Sequence, residues 1–126
     1  MQNTKTVLCV EDNYDNGEML EVLFELEDFH VMTCTTGEEC FTLLEKNQYS
    51  AIILDYHLPV SDGIEICSEI KKRGVDAPII FFTADARETI RQAALDAGAD
   101  AFLIKPDDLD KLVPAVIALI EAENKN

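Results

Sequence analysis

The stretch Val7-Leu8-Cys9-Val10-Glu11-Asp12-Asn13 decides the fold. Four consecutive apolar residues are typical of a strand that is buried on both faces, and the run ends abruptly in two acids. Similar short runs, rich in Val, Ile or Phe, follow along the chain. They cover residues 29–34, 51–54, 79–82 and 101–104. Each run is bounded by polar residues, glycine or proline, so the sequence predicts five strands.

Segments with helical spacing alternate with these runs. In each segment apolar residues recur every three or four positions. The segments centre on Leu20, Cys40, Ile66, Ile90 and Leu112. Strands that alternate with helices predict an α/β domain, in which a parallel sheet carries helices on both faces.

Turn signals agree with this division of the chain. Asp62-Gly63 is typical of a turn before a helix, and Pro78 leads into the fourth strand. Pro114 lies about one turn into the last helical segment if Asp110 is its cap. We therefore expect the last helix either to start later or to bend.

The composition limits the classes of partner. The 126 residues are expected to form one stand-alone domain over residues 1–126. Ten Lys plus Arg against 25 Asp plus Glu give a net charge of -15, which disfavours direct contact with nucleic acid or anionic membranes. We expect no signal peptide before Val7, because residues 1–6 are polar, and no apolar stretch approaches the roughly 20 residues needed to cross a bilayer.

The four cysteines (Cys9, Cys34, Cys40 and Cys67) form no Cys-x-x-Cys pair, and three lie inside apolar segments. This pattern predicts reduced, mostly buried side chains and neither a metal site nor a disulfide. Reduced cysteines in a chain without a signal peptide predict a cytoplasmic protein.

Charged and hydroxyl side chains collect where the predicted strands end. The first strand is followed by Glu11 and Asp12, and the third by Asp55. The fourth is followed by Thr83, and the fifth by Lys105. Each residue alone is a weak signal, because strand ends often begin solvated loops. Ligands of open α/β sheets bind outside the carboxyl ends of the strands, so the combination predicts a functional site at that edge.

In order and spacing, these residues resemble the signature of the response-regulator receiver family. The matching motifs are Glu11-Asp12, Asp55, Pro59, Asp62-Gly63, Thr83-Ala84 and Lys105-Pro106. The resemblance covers almost the whole chain. It implies a flavodoxin-like, doubly wound sheet of five parallel strands in the order 2-1-3-4-5, with five helices, two on one face and three on the other.

That strand order makes the first and third strands neighbours, so Glu11, Asp12 and Asp55 would share one pocket. Each close pair of carboxylates repels by about 4 kcal/mol at about 4 Å for an effective dielectric constant near 20. Such a cluster needs a cation, and oxygen ligands with room for water and phosphate suit Mg²⁺. By resemblance the ion would contact Asp12 and Asp55, Glu11 directly or through water, and the backbone carbonyl of His57.

The resemblance also assigns the chemistry of phosphoryl transfer. Asp55 would be the nucleophile and form an acyl phosphate. Lys105 would supply an ammonium group, while the Thr83 hydroxyl and the Ala84 backbone N–H would donate to phosphoryl oxygens. The Lys105–Pro106 peptide is cis in the family. The implied role is a phosphoacceptor in signalling and not an enzyme, since self-phosphorylation and autodephosphorylation are its only reactions.

The donor and the output follow from the same resemblance. The chain has no G-x-x-x-x-G-K-[ST] phosphate loop, so we do not expect it to bind ATP. The donor would be a phosphohistidine on a sensor histidine kinase or on a phosphotransfer protein, with small acyl phosphates as substitutes. In the family, the residue at Thr83 moves toward the phosphoryl group and the aromatic at Phe102 turns inward behind it. The last two helices and strand five would then bind a downstream protein.

Several positions bear on that output. Phe102 lacks the hydroxyl of a tyrosine, so a switch would act through packing. Asp107 stands where Phe is frequent in the family, so the last helix is expected to pack differently at its start. His57 follows Asp55 by two positions, where a side chain can influence the lifetime of the phosphoryl group. The outward arc of the last helix is small and poorly charged, which permits a homodimer or a close partner. It carries Lys111, Pro114, Ala115, Ala118 and Ala122.

Other functions fit the sequence less well. Phosphatases with an Asp nucleophile commonly carry a second acid two residues later, where this chain has His57. A flavodoxin-like module would need a Ser/Thr/Gly-rich loop after the first strand, and Glu11-Asp12-Asn13 would repel a flavin phosphate. A phosphorylation-independent interaction domain is disfavoured because all the expected site residues are present. Within the family, a diffusible messenger and a phosphorelay shuttle both remain.

Overall fold

The computed structural model describes residues 5–124 as five strands that alternate with five helices. The strands are β1 (Lys5–Val10), β2 (Phe29–Cys34), β3 (Ala51–Leu54), β4 (Ile79–Thr83) and β5 (Ala101–Ile104). The helices are α1 (Tyr14–Glu25), α2 (Gly37–Lys46), α3 (Gly63–Lys72), α4 (Glu88–Asp96) and α5 (Leu109–Asn124). The predicted alternation is confirmed. The two ends of the domain expected over residues 1–126 lie outside the described residues.

The strands form one parallel sheet in the order β2-β1-β3-β4-β5. β3 lies at the centre, and all four of its residues are buried, as its continuous apolar run predicted. The order reverses between β1 and β3, which are neighbours in the sheet although β2 separates them in the chain. This arrangement confirms the flavodoxin-like fold class.

Two apolar cores lie on the two faces of the sheet. On one face α1 and α5 contribute Leu20, Phe24, Leu112, Val116 and Ile120. On the other face α2, α3 and α4 contribute Cys40, Ile66, Cys67, Ile70 and Ala94. The expected division of two helices against three is therefore confirmed. Burial of each large side chain stabilises the fold by about 1.5–3 kcal/mol relative to exposure.

Side-chain caps begin two of the helices beside the carboxyl edge of the sheet. The Asn13 side chain accepts a hydrogen bond from the Asn16 N–H at 3.0 Å and starts α1. The Asp62 side chain accepts from the Glu65 N–H at 2.9 Å and starts α3. Each cap stabilises its helix by about 1 kcal/mol. The caps fix the loops that follow β1 and β3, and the turn predicted at Asp62-Gly63 is confirmed.

The last helix begins earlier than the sequence suggested. α5 starts at Leu109, before the expected cap Asp110, and continues through Pro114. Asp108 makes the early start favourable, because its side chain accepts from the Ile104 N–H at 2.9 Å and its carbonyl accepts from the Lys111 N–H at 2.9 Å. The later start expected from Pro114 is thus wrong.

All four cysteines are buried and carry free thiols, which confirms their predicted burial. Burial is the main cause that raises the pKa of the Cys67 thiol to about 11. Among the helices that the structure describes, none combines the length and apolar character that a bilayer crossing requires.

Candidate functional site

Two backbone hydrogen bonds align the strand ends that carry the site. The Asp55 N–H donates to the Val10 carbonyl at 3.3 Å, which places Asp55 beside Glu11. The Lys105 N–H donates to the Thr83 carbonyl at 2.8 Å, which places the ends of β5 and β4 side by side. The predicted residues therefore meet at the carboxyl edge of the sheet.

Three carboxylates form the centre of the site. Glu11 and Asp55 are buried, whereas Asp12 is exposed. One oxygen from each of the three lies within 4.8 Å of the others. All the ligand atoms are oxygens and one side of the cluster reaches solvent, so the set fits Mg²⁺, which keeps part of its hydration shell. The three residues predicted as metal ligands thus come together.

His57 is tied to the same cluster through its backbone. Its N–H donates to Asp55 Oδ1 at 3.2 Å, so the loop after β3 folds back on the carboxylate that begins it. This contact places the His57 main chain, whose carbonyl is the fourth predicted metal ligand, next to Asp55.

Lys105 neutralises part of this negative charge. Its Nζ donates to Asp55 Oδ2 at 2.9 Å and also to Glu11 Oε2. Burial raises the pKa of the Glu11 carboxyl, and the hydrogen bond from Lys105 counteracts that effect only in part. Burial lowers the pKa of Lys105, but hydrogen bonds to Asp55 and Glu11 outweigh it and hold the pKa above its ordinary value. Lys105 is therefore a cation in contact with the predicted nucleophile.

Thr83 and Ala84 lie at the end of β4, the strand beside β3. The Thr83 side chain is wholly buried, and its hydroxyl accepts a hydrogen bond from the Asp85 N–H at 3.3 Å. Ala84 is exposed, at the surface of the loop that follows. The two predicted phosphoryl-binding residues thus flank the carboxylate cluster on the side of β4.

Gly63 allows the start of α3 to pack against the backbone of Asp55. A Cβ atom on Gly63 would lie 2.2 Å from the Asp55 carbonyl oxygen and 2.9 Å from the Phe81 ring. No side chain fits in that space. The Gly63 N–H donates to the Tyr56 carbonyl at 2.8 Å and closes the loop after β3. The glycine of the Asp62-Gly63 motif therefore holds the loop that follows Asp55.

A bridge between the loops after β3 and β4 was not predicted. The His57 Nε2 atom lies 2.9 Å from Asp85 Oδ2. Arg87 holds the same carboxylate with two hydrogen bonds, Nε to Oδ1 at 2.9 Å and Nη2 to Oδ2 at 2.6 Å. One feature of the sequence could have indicated this contact. His57 lies two residues after Asp55, and Asp85 lies two residues after Thr83. His57 was among the predicted site residues, whereas Asp85 was not.

Of the two residues predicted to act as a switch, Thr83 ends β4 and Phe102 lies on β5. Phe102 is half-buried and stacks on Phe81 with ring centroids 5.8 Å apart. The Lys105–Pro106 peptide is cis, as the family resemblance implied. Asp107, which precedes α5, is exposed.

The outward arc predicted for α5 is largely open to solvent. Lys111, Pro114, Ala118 and Ala122 are exposed, while Ala115 is half-buried. These side chains are short apart from that of Lys111, so another surface can approach the helix closely.

Comparison with known proteins agrees with this geometry. The family model described as "Response regulator receiver domain" matches residues 7–117. The response regulator MprA from Mycobacterium sp. (strain KMS) is 34% identical over 114 residues, which are 90% of this chain and 50% of MprA. The chain thus spans about half the length of the curated relatives it matches.

Solved structures show the same likeness. The receiver domain of the sensor histidine kinase PA1611 from Pseudomonas aeruginosa, with a magnesium ion in its active site cleft, is 30% identical. Its TM-score is 0.84, with 94% of this chain and 99% of that chain covered. The response regulator TrrA from Thermotoga maritima, in complex with Mg²⁺ and BeF, is 30% identical with a TM-score of 0.82. That match covers 91% of this chain and 98% of TrrA.

Proposed function

Because the chain belongs to the response regulator receiver domain family, we propose that Asp55 accepts a phosphoryl group from a phosphohistidine. The donor would be a sensor histidine kinase or a phosphotransfer protein, and the receiver would serve as a messenger or as a phosphorelay shuttle. One observation carries the proposal. The Lys105 Nζ lies 2.9 Å from the Asp55 carboxylate, inside a cluster of three acids.

Each group in the pocket has a task in the proposed transfer. An Asp55 oxygen attacks phosphorus and displaces the histidine nitrogen, which forms an acyl phosphate. Lys105 offsets negative charge on the transferred group, and the Thr83 hydroxyl and Ala84 N–H donate to its oxygens. The Thr83 hydroxyl accepts from the Asp85 N–H, which leaves its own O–H free to donate to a phosphoryl oxygen.

The carboxylates supply the other half of the charge balance. Glu11, Asp12 and Asp55, with the backbone carbonyl of His57, would hold Mg²⁺. Once bound, the ion neutralises the acids and phosphoryl oxygens. The magnesium-containing relatives from Pseudomonas aeruginosa and Thermotoga maritima support this assignment.

The proposed output is a change in a protein-binding surface made by α4, β5 and α5. Phe81 lies on β4, the strand that ends in Thr83, and Phe102 on β5 stacks on it. A movement of Thr83 can therefore reach the surface through the contact between these two rings. The occupant would be a downstream protein or a second copy of the chain. We place this activity in the cytoplasm, where buried free thiols persist.

Incubation with acetyl phosphate, with and without Mg²⁺, tests the proposal. Intact-protein mass spectrometry should show one added phosphoryl group on the wild type, only when Mg²⁺ is present, and none on Asp55→Asn. Beryllofluoride should likewise bind the wild type alone. Equal labelling of Asp55→Asn, or no labelling of the wild type, would overturn the assignment.

A further inference from the structure

Cys34 and Cys40 lie on the same face of the sheet, at the junction between β2 and α2. Cys34 is the last residue of β2, and Cys40 lies in the first turn of α2. Both thiols are buried in the apolar core that α2, α3 and α4 form with the sheet. The Cys40 N–H donates to the Thr36 carbonyl at 3.1 Å, so the helix begins directly after the short loop that leaves β2. The fold therefore places two reduced thiols close together.

The other two cysteines do not share this contact. Cys9 on β1 belongs to the core on the opposite face, so the sheet itself separates its thiol from that of Cys34. Cys67 on α3 lies on the same face as the pair, but its thiol donates to the Ala97 carbonyl at 3.7 Å, at the end of α4. Within residues 5–124, Cys34 and Cys40 are therefore the two thiols that the fold pairs.

The two thiols differ in acidity, because a hydrogen bond joins them. This bond raises the pKa of Cys34 and lowers the pKa of Cys40, so Cys34 is the donor. Burial opposes the lowering at Cys40, whereas the positive charge of Arg73 adds to it. The N-terminal end of a helix also favours a thiolate. The pair thus combines a sulfur that loses its proton more readily than a free cysteine with a neighbour that keeps its own.

The pair can be reached from one edge of the sheet. An open groove of about 590 Å³ lies between β2 and α2, and Cys34 is one of its lining residues. β2 is the edge strand on this side of the described sheet. The groove is far larger than the roughly 30 Å³ that a water molecule occupies, so it admits a small oxidant such as hydrogen peroxide. Cys34 therefore lies between the groove and the wholly buried Cys40.

We propose that Cys34 and Cys40 form an oxidation site, in which hydrogen peroxide converts the two thiols into one reversible disulfide. The Cys40 thiolate attacks a peroxide oxygen, so an S–O bond forms, the O–O bond breaks, and the released hydroxide takes the proton of Cys34. The Cys34 thiolate then attacks the sulfenic sulfur of Cys40, which forms the S–S bond and expels a second hydroxide. That hydroxide takes up the proton that Cys40 had released. Two thiols are oxidised, and one peroxide is reduced to two water molecules.

The disulfide would close a ring around the loop between β2 and α2. Side chains already hold this loop against the helix, because Glu39 Oε1 accepts from the Thr35 N–H at 3.1 Å and Thr36 Oγ1 accepts from the Glu39 N–H at 3.2 Å. Sulfur atoms that share a hydrogen bond need to approach by only about 1–2 Å to reach the length of an S–S bond. The Cys34 carbonyl accepts from the Glu11 N–H at 2.9 Å, so the new bond would form one backbone hydrogen bond away from the carboxylate cluster.

Peptide mapping after peroxide treatment tests the proposal. The folded protein is treated with an equimolar amount of hydrogen peroxide, the remaining thiols are blocked with N-ethylmaleimide, and the chain is cut after glutamate. Glutamates such as Glu11, Glu38 and Glu65 lie between successive cysteines, so each cysteine falls in a different peptide. We expect the Cys34 and Cys40 peptides to be joined, and dithiothreitol to separate them again.

Substitutions provide matched controls for the pairing. Cys9→Ala and Cys67→Ala should form the same disulfide as the wild type, whereas Cys34→Ala and Cys40→Ala should form none. Circular dichroism checks that each variant is folded, and the map of the wild type decides the question where a variant is not. Four free thiols in the treated wild type, or a disulfide that includes Cys9 or Cys67, would refute the site. Neither result depends on phosphoryl uptake, so this inference stands apart from the role proposed for Asp55.

The separate roles of the two sulfurs have their own test. Dimedone traps a sulfenic acid, so Cys34→Ala, which lacks the second sulfur, should accumulate dimedone on Cys40 under peroxide. Cys40→Ala should trap at least about fivefold less on Cys34, because the thiol that remains is the weaker acid. Equal trapping in the two variants would contradict the assignment of Cys40 as the sulfur that reacts first.

Discussion

The Nζ atom of Lys105 lies 2.9 Å from Oδ2 of Asp55, although their strands are not neighbours. β4 lies between β5 and β3, and the Lys105 side chain spans its end, with Nζ 5.6 Å from the centroid of the Phe82 ring. Because the ammonium group also binds Glu11, it offsets the repulsion between the two buried acids. The ammonium group is therefore already in contact with Asp55, as the proposed phosphoryl transfer requires.

Removal of this ammonium should destabilise the fold when Mg²⁺ is absent. Lys105→Ala leaves Glu11 and Asp55 facing each other without a cation, and we expect a loss of about 1–3 kcal/mol in the free energy of unfolding. Mg²⁺ should recover more stability in the variant than in the wild type. Urea unfolding with and without Mg²⁺ measures both effects. Lys111→Ala, which breaks an exposed pair with Asp108, is the control and should cost less than about 1 kcal/mol.

A side chain at Gly63 should damage both stability and chemistry. The added Cβ of Gly63→Ala would meet the Asp55 carbonyl oxygen at 2.2 Å, and backbone atoms cannot move aside as a flexible side chain can. We expect a loss of at least about 1–3 kcal/mol in urea unfolding, together with slower labelling by acetyl phosphate. Gly17→Ala in α1 is the matched control. Its Cβ would lie 3.6 Å from Thr33, so the better helix propensity of alanine should stabilise the protein by about 0.5–1 kcal/mol.

Much of the fold could be predicted because buried parallel strands need continuous apolar runs. The predicted bounds of β2, β3 and β5 match those observed. β1 begins two residues earlier than predicted, at Lys5, because a strand can pair through its backbone where its side chains are polar. The start of α5 could not be predicted from side-chain periodicity either. It depends on the hydrogen bond between Ile104 and Asp108, which forms only because of how the chain turns after β5.

If Phe102 acts as a switch, its removal should weaken the response of α4 and α5 without preventing beryllofluoride from binding at Asp55. Phe102→Ala removes the ring that stacks on Phe81, so beryllofluoride should cause smaller NMR shift changes in α4 and α5 than in the wild type, while it still binds Asp55. The lost packing should cost about 1–3 kcal/mol. Phe41→Ala controls for the stability loss and should leave the shift changes intact. Phe41 lies on α2, and its ring packs under the guanidinium group of Arg73. Equal shift changes in Phe102→Ala and the wild type would exclude the switch.

The open arc of α5 predicts self-association on activation. In gel filtration the wild type should change from monomer to dimer when beryllofluoride and Mg²⁺ are added. Ala118→Arg places a bulky charge on the exposed arc and should prevent the change, whereas Thr42→Arg on the exposed surface of α2 should not. A wild type that stays monomeric would exclude the dimer.

The start of α5 should make stability depend on acid pH. The hydrogen bond from the Ile104 N–H is the main cause that lowers the pKa of Asp108 below its ordinary value of 3.8, and Lys111 adds to the effect. A group with a lowered pKa in the folded state stabilises the protein above its ordinary pKa and loses that contribution as pH falls through the folded value. The Tm difference between the wild type and Asp108→Asn should therefore be largest at neutral pH and shrink below about pH 4. Thermal unfolding from pH 7 to 3 tests this, with exposed Asp107→Asn as the control; a constant difference would contradict it.

The candidate site could be predicted from strand ends, whereas its loop contacts could not. Glu11, Asp55 and Lys105 each follow a strand, and parallel strands bring such positions to one edge. The contact of Asp85 with His57 depends on the path of two loops and on side-chain rotamers, which periodicity does not encode. The ion pair between Asp85 and Arg87 joins residues that are close in sequence. Only the structure shows that the same Asp85 carboxylate also contacts His57, in the loop after β3.

The strand order also divides the pocket along the chain. All three acids precede residue 56, whereas Thr83 and Lys105 both follow residue 82, and the two groups meet where β3 pairs with β4. Neither half of the chain holds a complete site. Phosphoryl uptake would therefore report whether two fragments of the chain reassemble. Fragments cut in the loop between α3 and β4 should be labelled only when β4 pairs again with β3.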